Sequence, residues 1–232
     1  MGQRAEQFLA SFNRIEKWLR EAMNNPASMG FSEMVRRLAK RKEWNIAAYE
    51  DDLLQMAQLR NAIVHERISS DFVIAEPNEW AVARIETIKK ELLRPEKVLP
   101  KFAKRVTGFE RDIPLQEILK TVDEKRYSQF PLYDKGIFLG LITIRALGLW
   151  LAKESRAGEI QLKGRKAEEL LLPEFKKINY HFVNGETTVF QVEEMFRNAP
   201  TLEAILITKD GDPNGNLLGI IRPRDIYHIE KE

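Results

Sequence analysis

Two stretches of this chain, 79 residues apart, are written to the same local plan. FLGLITIRALGLWL at 138–151 and LLGIIRPRDIYHI at 217–229 each read as an apolar strand, a glycine, a turn residue and a helix. Their pivots are Gly140-Leu141-Ile142-Thr143 and Gly219-Ile220-Ile221-Arg222. Spacing of this length implies one supersecondary unit used twice. Upstream the match extends at a shift of 74: DIPLQEIL falls on ETTVFQVE, with Leu115 on Val189, Ile118 on Val192 and Val122 on Phe196, and QFPLYD falls on EAILIT. The register grows from 74 to 79 across the polar run Asp210–Asn216, which reads as a hairpin loop. Two β-α-β-β-α units are expected, over about 104–153 and 178–230.

These units resemble the CBS domain, and two in tandem resemble a Bateman module. The resemblance covers roughly the last 135 residues, with a first domain at about 101–157 and a second at about 172–232. The family's ligand pattern is Gly-hydrophobic-x-Thr/Ser-x-x-Asp at the strand-to-helix turn. Its physical basis is plain. A hydroxyl at an N-cap sits beside free backbone N–H groups and the positive end of a helix, and an acid one turn on can accept a ribose diol. Both copies depart from the pattern. The first has Thr143 but Ala146 in place of the acid; the second has Asp225 but Arg222 in place of the hydroxyl. In the second copy Asp225 suits the diol, Arg222 and Arg224 suit phosphate, and Pro223 fits a first helical position. The ligand-binding candidates are therefore Asp225, Arg222, Arg224, Thr143, Gly219 and Gly140. A purely structural reading stays open, with Thr143 as an N-cap and Asp225 as a first-turn acid. The resemblance implies an adenine nucleotide (AMP, ADP or ATP) or a related adenosyl ligand held in the cleft between the halves, with no required cofactor and no metal.

Residues 1–95 carry a different periodicity. Helices are expected at 3–23, 33–42 with Ser32 as cap, 47–65, and 78–93 opened by Pro77, forming a four-helix bundle. Pro95 and Pro100 bracket a short connector, so the domain boundary is expected at 95/96, with the tandem module filling 96–232. The tryptophans (Trp18, Trp44, Trp80, Trp150) stand at apolar helical positions and are expected in cores. The fold class is thus α+β and multidomain.

The third expected helix ends in Leu59-Arg60-Asn61-Ala62-Ile63-Val64-His65. An arginine, a polar residue after it and a histidine five positions on resemble the signature of HEPN domains, small helical bundles that include metal-independent ribonucleases. The resemblance implies Arg60 and His65 as catalytic residues with Asn61 assisting. Histidine transfers protons near neutral pH, and arginine stabilises charge developing on phosphorus. Arg60 and His65 lie about 140° apart around a regular helix, and converge only if the arginine reaches round, if the helix ends or distorts there, or if two copies meet. Related nucleases form their site across a dimer, so the resemblance implies a homodimer. Whether the chain is an enzyme is left open at this level. The basic run Arg36-Arg37-Leu38-Ala39-Lys40-Arg41-Lys42 could hold RNA phosphates or form a solvated helix face.

Composition adds exclusions. The absence of cysteine rules out disulfides, thiol catalysis and thiolate zinc sites. A net charge of +2 is too small to draw nucleic acid by field alone. The most apolar segment, 137–152, is short for a bilayer span and carries Arg145, so no membrane insertion is expected. With a polar N-terminus, the expectation is a cytoplasmic regulatory protein. Its CBS pair would sense an adenine nucleotide and control a HEPN-like output domain. The alternatives are a nucleotide-gated ribonuclease acting on RNA, or an interaction module whose ligand sites have decayed.

Overall fold

Apolar spacing changes from helical to strand-then-helix after about residue 105, and the structure changes with it. It is a computed structural model that describes residues 2–65, 67–69, 72–73, 75–173 and 179–227. Contacts divide the chain into two units, 1–96 with 188–191 and 97–187 with 192–232.

In the first unit, α1 (Gln3–Ala22), α2 (Phe31–Ala39), α3 (Glu50–His65) and α4 (Glu79–Leu93) surround one apolar core. Phe8, Phe12, Ile15 and Leu19 recur on one face of α1, and Met34, Val35 and Leu38 form the whole inner face of α2. Helix α2 starts one residue before the expected Ser32 cap. Its N-cap is Gly30, and Phe31 is drawn into the first turn by stacking on Phe12, with ring centroids 4.4 Å apart. It also ends at Ala39, ahead of Lys40-Arg41-Lys42. Asn78 caps α4, its side-chain oxygen accepting from the Ala81 N–H at 2.8 Å. Between α3 and α4 a small antiparallel pair, β1 (Arg67–Ser69) and β2 (Phe72–Val73), appears where no strand was expected.

One tryptophan expectation fails. Trp80 is 63 % exposed. The buried face of α4 is set by Val82, Ile85, Ile88 and Leu92, and a residue two positions before Val82 points about 200° away from it. Trp18 and Trp44 meet edge-on at the rim of the core, and Trp150 is buried in the second unit.

The second unit opens with the single turn α5 (Val98–Lys101). The first repeat then runs β3 (Phe109–Glu110), α6 (Leu115–Lys125), β4 (Gln129–Asp134), β5 (Ile137–Thr143) and α7 (Ile144–Glu154). The second runs β6 (Tyr180–Asn184), α8 (Val189–Asn198), β7 (Ala204–Thr208), β8 (Gly219–Ile221) and α9 (Pro223–Tyr227). Each repeat makes a three-stranded sheet whose middle strand is parallel to the first and antiparallel to the third. The β4–β5 turn is the two-residue pair Lys135-Gly136, both at positive φ (51° and 84°), the geometry that a tight right-twisting hairpin needs. The corresponding β7–β8 connection is longer, and Asp210, Asp212 and Asn214 order it. Asp210 accepts from the Asp212 N–H, and Asp212 accepts from the Asn214 N–H.

The two sheets meet through a common apolar cluster. Leu141 packs with Ala204, Leu206 and Ile220, and Phe138 lies edge-on to Tyr180 and Phe182 at 5.0 and 4.9 Å. The Phe138 N–H donates to Asn214 Oδ1 at 2.9 Å, and Asn179 Nδ2 donates to the Leu141 carbonyl at 3.1 Å.

Each repeat is also completed by the segment leading into the other. Ahead of the first repeat, the Val98 N–H donates to Thr187 O (2.8 Å), the Lys104 N–H donates to Leu218 O (3.1 Å), and Ala103 bridges Gly219. Ahead of the second, the Ala167 N–H donates to Ile113 O (3.0 Å) and Leu171 covers Gly140. The residues following Pro95 are therefore docked chain, with Val98 fully buried. A side chain at Gly219 would collide with the Phe102 carbonyl oxygen. Gly219→Ala should consequently cost about 1–3 kcal/mol, the range for forced overpacking, and urea unfolding would measure it. The same change at Gly148, where a Cβ meets nothing within 4 Å, should be neutral or mildly stabilising.

Candidate ligand site at the second helix opening

Arg222 stands between β8 and α9, and Asp225 lies in the first turn of that helix. The Asp225 carboxylate folds back on the turn. Its Oδ2 accepts from the Arg222 backbone N–H at 2.9 Å, which is the acidic half of a capping box. The Arg222 side chain closes on the same group as a two-pronged fork, Nε to Oδ2 at 2.8 Å and Nη2 to Oδ1 at 2.6 Å. A second cation comes from the docked segment: Lys104 Nζ lies 3.5 Å from Asp225 Oδ2. Arg224 is exposed, close enough for its charge to act on Lys104.

The electrostatics follow. Burial pushes the Asp225 carboxyl up, but the hydrogen bonds from Arg222 and the charges of Lys104 and Arg222 together outweigh it and hold the carboxyl below the usual 3.8. Burial pulls the Lys104 ammonium down, and the positive charges of Arg222 and Arg224 add to that against the favourable pull of Asp225. Two cations thus converge on one carboxylate whose side chain is 18 % exposed, with Arg224 near the second of them.

The first opening is built differently. Thr143 is buried, and its Oγ1 accepts from the Ala146 N–H at 3.3 Å, so it caps α7. Ala146, at the position of the missing acid, is itself buried, and Leu171 presses on Gly140. Here the hydroxyl serves the helix start.

In the first unit, Arg60 and Asn61 are neighbours on α3, with Arg60 Nη1 donating to Asn61 Oδ1 at 3.3 Å. His65 closes the helix, but its side chain lies outside the described residues, as do Glu66 and His228. His181 is exposed on β6. Tyr133 rests on Gly108 and Phe138, and burial pushes its hydroxyl up to about 12. Among the described residues no helix is long and apolar enough to cross a membrane.

Sequence reasoning missed Lys104. No local signal marks it, because only the pairing of 103–104 with the edge of β8 carries it to Asp225.

The family model of the CBS domain matches residues 103–151 and 175–232, the two repeats just described. The second unit is a pair of CBS domains in tandem. No curated protein matches the chain. Among solved structures, a CBS domain-containing protein of unknown function from Kribbella flavida is 15 % identical, with 56 % of this chain and 96 % of that one covered at a TM-score of 0.44. CBSX2 in complex with AMP is 15 % identical (57 % and 94 % covered, TM-score 0.43). A CBS domain pair in complex with 5′-methylthioadenosine and S-adenosyl-L-methionine is 17 % identical (58 % and 95 %, 0.45).

The lowered Asp225 carboxyl sets a pH dependence. A carboxyl depressed in the folded state contributes stability above its unfolded value and loses it as pH falls through the folded value. The melting-temperature gap between wild type and Asp225→Asn should be full at neutral pH. It should narrow only as pH drops below 3.8 toward the lowered folded value. A gap that closes between pH 7 and 5 would rule this contact out as its source.

Proposed function

We propose that this chain is a regulatory protein acting in the cytoplasm, whose CBS pair senses an adenine nucleotide or related adenosyl ligand and controls the helical N-terminal domain, with the boundary at 95/96. The observation that carries the reading is the second helix opening. There Asp225 supplies an acceptor suited to a ribose diol, and Arg222, Arg224 and Lys104 stand ready for phosphate. The first opening is assigned a structural role, since its hydroxyl is committed to capping and the acid is replaced by a buried alanine.

A ligand drives an output only by binding two arrangements unequally. The docked residues 97–104 give the site a lever, because Lys104 belongs to the segment that leads out of the helical domain. A HEPN-like fold for that domain and a homodimer complete the proposal.

The test is thermal unfolding of the full chain with AMP, ADP, ATP and S-adenosyl-L-methionine. A ligand present at 100 times its Kd should add roughly 2.7 kcal/mol, several degrees for a chain of this size. Asp225→Ala should abolish the shift and Thr143→Val should leave it. A shift that survives Asp225→Ala unchanged would move the site elsewhere.

The second reading, a metal-independent ribonuclease, draws on the hydrogen-bonded pair of Arg60 and Asn61 one turn before His65. It expects metal-free RNA cleavage that falls at least 100-fold in both Arg60→Ala and His65→Ala, with circular dichroism unchanged. Cleavage equal in wild type and variants would exclude that site.

A further inference from the structure

The guanidinium of Arg222 and the ammonium of Lys104 occupy the very oxygens of Asp225 that a ribose diol would need. A neutral adenosyl ligand must therefore displace two cations from a carboxylate and leave them unpaired in a half-buried setting, which is costly. A cationic ligand would meet two positive groups on a single acid, with Arg224 adding its charge beside Lys104. A phosphorylated ligand escapes both penalties. Its phosphate gives Arg222 and Lys104 a new anionic partner as they leave the carboxylate, and the freed carboxylate takes the diol.

We infer that Lys104 and Arg222 form a phosphate-reading pair held in reserve on Asp225, so that the site takes phosphorylated nucleosides in preference to neutral or cationic adenosyl compounds. The two cations come from different parts of the chain. Arg222 is fixed by the β8–α9 turn, and its fork matches two phosphate oxygens. Lys104 is delivered by residues 103–104, whose backbone pairs with Leu218 and Gly219. That pairing uses main-chain atoms, so Lys104 can be replaced without undoing the docking that places it. Lys104 is thus the specificity residue.

The inference rests on the nucleotide reading above, and the experiment separates the two. Isothermal titration of the full chain is carried out with AMP, adenosine, S-adenosyl-L-methionine and inorganic pyrophosphate, for wild type and Lys104→Met. AMP should bind at least tenfold more tightly than adenosine or S-adenosyl-L-methionine. Lys104→Met should weaken AMP about tenfold and leave adenosine bound no more weakly, since one displaced cation is gone. Equal affinity for AMP and adenosine, tighter binding of S-adenosyl-L-methionine, or an equal loss for AMP and adenosine in the variant would each overturn the phosphate preference while keeping a nucleoside site. Pyrophosphate binding that depends on Lys104, with no nucleoside bound, would keep the phosphate pair and sink the nucleoside reading. No binding of any of the four would sink both.

Discussion

Each CBS repeat here is closed by chain that precedes the other one. In the segment 97–104, residues 103–104 pair at the β8 edge of the second repeat and Val98 bonds Thr187 ahead of α8, and residues 165–171 lie on the first repeat. An uncovered edge strand carries unpaired N–H and C=O groups and invites aggregation. The exchange supplies a partner along that edge from within the chain. It also makes the two repeats dependent on one another, since neither is complete from its own sequence. Gly219 is the position where this constraint is tightest, with the Phe102 carbonyl against it.

The same exchange defines the electrostatics of the second helix opening. With only α9 and its turn present, Asp225 would be a capping acid paired with Arg222. The docked segment adds Lys104, so the carboxylate is held ionised between two cations. That arrangement is a resting state in which the site satisfies itself. Under the proposed reading, an incoming phosphate replaces the carboxylate as partner of the two cations and frees the acceptor. The first opening has no such exchange to make. Thr143 is satisfied by the Ala146 N–H and buried, and the absence of an acid leaves a packed helix start.

Much of the fold was legible in the sequence because it is written in local periodicity. The strand-glycine-turn-helix plan, its repetition and the longer second hairpin follow from short-range spacing, and the buried faces of α1 and α2 follow from the 3.6-residue period. Local reading erred where a non-local contact decided the outcome. Phe31 enters α2 because Phe12 is there to stack on, and Trp80 stays outside because four aliphatic residues set the face of α4. In the candidate site, Asp225, Arg222 and Thr143 could be named from motif positions, and their capping roles were open readings, but the approach of Lys104 could not be foreseen.

By itself, then, the sequence determined that the chain has a helical first part and a duplicated β-α-β-β-α second part, and which residues stand at the two helix openings. Local propensity and apolar spacing act within about a dozen residues, and both features live on that scale. Only the tertiary structure decided that Lys104 lies beside Asp225, 121 residues away in the chain. It also decided that the repeats exchange their lead-in segments. Those outcomes depend on which edges and charges remain unsatisfied once the two sheets have packed, and no local pattern records that.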